Sequence, residues 1–60
     1  MRTLTRREGE SIILTIEGME PIRIQLSAID KRRRQARIAI EAPGSVEIWR
    51  EEVLVEDLQD

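Results

Sequence analysis

The sequence predicts a mainly β fold: five short antiparallel strands, a short C-terminal helix, and a core completed by a second copy of the chain. Three observations point there. β-Branched and polar residues alternate at period two over much of the chain. Turn residues recur at short intervals, at Gly9, Gly18, Pro21, Pro43 and Gly44. The third is size: 60 residues with no Cys, His, Phe or Tyr and a single Trp exclude a disulfide framework and any typical zinc site. A chain so short buries only about 60% of the surface its unfolded form exposes, so self-association is the leading way to complete a core.

The first strand is expected at about Arg2 to Arg7, ended by Gly9. Ser11 to Ile16 follows, with Ile12, Leu14 and Ile16 on one side and Ile13 and Thr15 on the other. The turn Glu17-Gly18-Met19-Glu20-Pro21 breaks it. In the third strand Ile22, Ile24, Leu26 and Ala28 share a face opposite Arg23, Gln25 and Ser27. Ala36, Ile38 and Ile40 repeat the pattern opposite Arg37, Ala39 and Glu41. Ala42-Pro43-Gly44 then punctuates the chain before a fifth strand over about Ser45 to Trp49. From Arg50 to Leu58 there is no Gly or Pro, Leu54 and Leu58 stand four apart, and Glu51-Glu52 suit the positive end of a helix dipole. Two to three turns are too few to be stable alone, so this helix must dock or project from an assembly. With no repeat, linker or low-complexity tract, residues 1–60 read as one domain. No apolar run has the length of a membrane span and no signal-peptide pattern follows the basic N-terminus, so the expectation is a soluble, unprocessed, cytoplasmic protein.

The formal net charge of −2 conceals segregation. Residues 1–9 and 31–40 carry +2 and +5, whereas residues 10–30 and 41–60 carry −3 and −6. Catalysis is poorly served, because no imidazole or thiol is available to activate the hydroxyls and no glycine-rich phosphate loop exists. No cofactor is expected. The run Lys31-Arg32-Arg33-Arg34 reads either as a solvated hairpin tip or as a set of phosphate contacts. Trp49 could stack on a base or cap a core or interface. Duplex DNA readout finds no recognition helix behind the basic run.

Leu4-Thr5-Arg6-Arg7-Glu8-Gly9-Glu10-Ser11-Ile12, then Gln35 to Pro43, then Val46-Glu47-Ile48-Trp49-Arg50-Glu51-Glu52-Val53 resemble, in order, the LTRR-x-GE-x-I, Q-V-R-I-G-I-x-AP and V-x-V-x-REE-I blocks of the CsrA/RsmA family of bacterial post-transcriptional regulators. The blocks cover roughly half the chain, and their joint order and spacing are more specific than any one alone. The resemblance implies a homodimer of interleaved five-stranded chains. It implies binding to messenger RNA at GGA motifs, often in hairpin loops of the leader, and sequestration by small regulatory RNAs; neither a membrane nor a small-molecule substrate is expected.

The matching positions imply an RNA surface joining Leu4, Thr5, Arg6 and Arg7 of one subunit to Val46, Ile48 and Arg50 of the other, with Arg37, Ala42 and Pro43 nearby, and Trp49, which is not a family residue, counted within that surface. Arg50, which opens the REE block, corresponds to the family's main RNA-contacting arginine; the residues alone would equally allow a helix-surface ion pair. Arg37 could instead pair with Glu41 or Glu47. The chain departs from the family pattern in longer stretches around Gly18 to Pro21 and Lys31 to Arg34. It also departs in Trp49 where His is common and in Gly44 where Lys is common. These departures, with the acidic C-terminal block, motivate an alternative: a protein-interaction module that binds RNA weakly.

Overall fold

The structure, a computed structural model, describes residues 1–58, with side chains through Leu54. Three strands form one antiparallel sheet in the order β1-β2-β3: β1 (Ser11–Leu14), β2 (Ile22–Asp30) and β3 (Gln35–Glu41). A single helix follows, α1 (Glu51–Leu58).

Two reversals make the sheet. Between β1 and β2 the chain turns through Ile16-Glu17-Gly18-Met19, closed by the Met19 N–H donating to Ile16 O at 3.0 Å. Gly18 supplies the φ of 81° that a residue with a Cβ adopts only under strain. Between β2 and β3 four residues suffice. Asp30 starts this turn in the role aspartate favours: its Oδ1 accepts the Arg33 N–H at 3.2 Å. Arg34 closes it with φ 56°, left-handed without being glycine.

The register sorts the side chains. Ile12 opposes Ile24, which opposes Ile40; Leu14 opposes Ile22, and Leu26 opposes Ile38. These residues share one face, as the alternation predicts. At Ser27 the ladder slips by one, so that Ala28 pairs with Arg37 and Ile29 with Ala36. The bulge corrects the expected face of Ala28: it joins Arg37 on the opposite side, and Ile29 takes the place on the apolar side.

Two expected strands are not strands in this chain. Residues 2–7 and 45–49 have no ladder partner, and the second strand stops at Leu14 rather than Ile16. A strand exists through its neighbour's hydrogen bonds, and neither terminal segment has a neighbour within one chain. The N-terminal segment is nevertheless anchored where it meets the sheet. Arg7-Glu8-Gly9-Glu10 forms a turn, with Gly9 at φ 88° and the Glu10 N–H donating to Arg7 O at 3.0 Å. Gly9 N–H then donates to Leu26 O at 2.7 Å, Leu26 N–H to Glu10 O at 3.0 Å, and Ile29 N–H to the Glu8 carboxylate at 3.2 Å.

The apolar face is largely uncovered. Ile22, at 7% exposure, is the one buried hydrophobic among the described residues, while Ile38 is 58% exposed. The radius of gyration is 13.9 Å, against about 10 Å for a compact chain of this length. The accessible surface is 6038 Å², where a compact monomer would expose about 4,000 Å². Among the described residues the helix packs on none of the three strands, and no helix is long and apolar enough to cross a membrane.

Candidate nucleic-acid interface

The implied site residues fall in two places. Leu4 and Arg6 reach back over the apolar face, where with Ile12, Ile24, Leu26 and Ile38 they line a shallow cavity of about 210 Å³. That is smaller than the roughly 300 Å³ or more of small-molecule sites. Arg6 is held by three contacts: its Nε donates to Thr5 O at 2.9 Å, its Nη1 to Ser11 O at 3.4 Å, and its Nη2 lies 3.7 Å from the Glu10 carboxylate. The Arg7 N–H donates to Glu10 Oε1 at 2.7 Å, leaving the guanidinium itself without an ion pair among the described residues. Glu10 thus orders both arginines from below.

Arg50 lies elsewhere. It caps α1, its carbonyl accepting the N–H groups of Val53 at 3.0 Å and Leu54 at 3.1 Å. Its side chain is 82% exposed and pairs with Glu52, Nη2 to Oε1 at 2.6 Å. The surface ion pair anticipated as the ordinary use of Arg50 is therefore formed. At such exposure it is worth about 0–1 kcal/mol, which a phosphate or base can displace.

Arg50 also lines a broad open concavity with Arg33 and Arg37, beside Ile29, Ala36 and Gln35. Asp30 is the acid in its wall, with Oδ2 3.8 Å from Arg33 Nε. Arg37 does not take the expected alternatives: it pairs with neither Glu41 nor Glu47 among the described residues. Lys31, Arg32, Arg33 and Arg34 are all exposed at the tip beside this concavity. Within one chain Leu4 and Arg50 line different cavities with no shared residue.

Between α1 and the sheet, the turn Pro43-Gly44-Ser45-Val46 is closed by the Val46 N–H donating to Pro43 O at 2.9 Å. Ala42, Pro43 and Val46 are half-buried, whereas Ile48 is exposed. Trp49 is 45% exposed and donates Nε1–H to Glu47 at 3.1 Å, so it caps no core in this chain. Gly44 has no positive φ, and a Cβ there would meet open space.

Three participants escaped sequence reasoning: Asp30 and Gln35 in the concavity, and Glu52 as the partner of Arg50. An aspartate opening a four-residue turn is a signal that could have found the first. Gln35 enters through the fold of the β2–β3 hairpin, and Glu52 is a local partner two residues beyond Arg50 that the helix start brings within reach.

A family model described as CsrA, the global regulator protein family, matches residues 1–59. Among curated proteins the chain is similar to a protein of Geobacter metallireducens named translational regulator CsrA, 36% identical over 53 residues. That match takes in 88% of this chain and 60% of the relative, so the chain spans somewhat under two thirds of the relative's length. No solved structure matches the chain significantly.

Proposed function

The chain belongs to the CsrA global regulator family, and from that premise we propose that it is an RNA-binding post-transcriptional regulator working as a cytoplasmic homodimer. It binds GGA motifs in the hairpin loops or single strands of messenger RNA leaders, alters translation or message stability, and is titrated away by small RNAs carrying the same motif. The observation that carries this reading is an N-terminal backbone with no ladder partner in the same chain alongside exposed cationic side chains. Residues 1–6 offer backbone N–H and C=O groups that no strand of the same chain uses, and Arg7, Arg37 and Arg50 present guanidinium groups to solvent.

The physics suits single-stranded RNA. Unpaired loop bases expose their Watson–Crick edges, which the deep, narrow major groove of an A-form helix does not. A free strand edge can read such edges with backbone groups, while arginines add phosphate attraction that salt weakens. In this reading Leu4, Thr5, Arg6 and Arg7 of one subunit meet Val46, Ile48, Trp49 and Arg50 of the other, flanked by Arg37, Ala42 and Pro43. Interleaving supplies the missing strands: the terminal segments of each chain pair with the partner, and the open apolar face is covered. About 2,000 Å² of excess exposed surface per chain is of the order that obligate dimers bury.

The test compares a hairpin carrying GGA in its loop with one of scrambled loop, for the natural chain and for Arg50→Ala. The natural chain should prefer GGA. Arg50→Ala should lose about 1.5–3 kcal/mol of binding to it, the range of a hydrogen bond to a charged group, with no change in melting temperature. Equal weak binding to both hairpins would favour a protein-interaction module instead, and unchanged binding by the variant would remove Arg50 from the site.

A further inference from the structure

We propose that the Lys31–Arg34 hairpin tip, with Arg37 in the concavity behind it, is a second RNA contact that grips the phosphates of the duplex stem below a bound loop. The inference rests on the RNA-binding reading above and adds a partner surface to it. Three observations carry it.

The first is continuity. Arg50, Arg37 and Arg33 line one concavity, and Arg33 belongs to the exposed tip of Lys31, Arg32, Arg33 and Arg34. A strand leaving Arg50 therefore meets further guanidinium groups across Arg37 toward the tip, with no unpaired acid in the way. Asp30, the carboxylate in that wall, is occupied: Oδ1 accepts the Arg33 N–H and Oδ2 faces Arg33 Nε.

The second is strain. Arg34 holds φ 56°, a conformation that glycine or asparagine adopts at little cost and arginine does not. An arginine at the most strained position of a basic turn points to a use for its charge.

The third is the chemistry of the tip. Four successive cations without an apolar or aromatic side chain among them offer nothing to bury a peptide's side chains against; they suit closely spaced, sequence-independent anions. An RNA duplex offers a row of these on its backbone, and a hairpin that presents a loop motif necessarily carries such a stem beneath it.

The experiment uses the full chain and two RNAs with the same GGA motif, one in a loop on a stem of a full helical turn, the other a short unstructured strand. Lys31→Gln, Arg32→Gln and Arg33→Gln are combined, leaving strained Arg34 and the Asp30 turn bond to the Arg33 backbone in place. The triple variant should bind the stemmed RNA about ten- to a hundredfold more weakly and flatten the dependence of log K on log salt by about 2. Its affinity for the short strand should not change. Swapping charge type, with Lys31→Arg, Arg32→Lys and Arg33→Lys, should restore stem binding, which a mere folding defect would not allow. Equal losses on both RNAs, or no loss on either, would overturn the stem contact. If the natural chain grips stemmed RNA through the tip regardless of loop sequence, the stem contact stands and the GGA reading falls. If it binds neither RNA, both fall.

Discussion

Residues 9–41 and the two segments that flank them have similar strand-forming composition, yet only the first region is a sheet. In the hairpins every strand finds its partner a few residues away, through a seven-residue reversal after Leu14 and a four-residue one after Asp30. The flanks contain Leu4, Val46 and Ile48, with the same alternation, and have no ladder. The difference is one of supply. Local turns provide hydrogen-bond partners to the middle of the chain, while the backbone of its ends is left to water or, in the proposed homodimer, to the partner. In the homodimer proposed above, what the hairpins solve by folding the ends solve by association.

The largest expected effect tests whether the exposed apolar face is truly a surface. Ile38→Asp at a site 58% exposed in one chain would cost little if the chain stayed alone. With a partner over that face it buries an unpaired carboxylate, so loss of the dimer and at least about 3 kcal/mol of stability is expected. Sedimentation and the concentration dependence of melting read this directly; a melt unchanged at all concentrations would break the comparison between middle and ends. A smaller effect is expected at the joint between the regions. Gly9→Ala has space for its Cβ but not the backbone conformation, at φ 88°. It should lower stability by about 1–2 kcal/mol in chemical denaturation. Gly44→Ala, with ordinary φ and open surroundings, is its near-neutral control. The smallest lies within the self-sufficient region. Arg34→Gly relieves the left-handed strain but loosens the unfolded chain, for a net gain of about 0.5 kcal/mol in the same assay. A loss there would mean that the Arg34 side chain contributes to the hairpin itself.

The hairpins were legible because period two and the turn residues carry their own geometry. Gly18 and Pro21 mark the first reversal and the apolar rows of β2 and β3 mark the second. Helix α1 was legible from the absence of breakers and the acidic start at Glu51. The expected Leu54–Leu58 spacing reaches a side chain outside the described residues. The Ser27 bulge was hidden. Alanine at 28 is acceptable on either face, so the alternation reads smoothly through a slip that only the cross-strand register reveals. The strained turn at Arg34 was equally silent, because arginine is no signature of a left-handed residue. Of the site, the charged residues were visible one by one. Their grouping was not: the approach of Arg50 to Arg33 and Arg37 joins residues remote in sequence.

The four-residue turn between β2 and β3 also has a meaning in time. A hairpin closed over so short a loop, with Asp30 already bonded to the turn backbone, forms in about 1–10 μs. Encounter between molecules at cellular dilution is far slower. Whatever the chain ends eventually meet, they therefore meet it as appendages of a finished hairpin. For the homodimer proposed above, the slow step is then collision, and its rate rises with the amount of protein the cell has made.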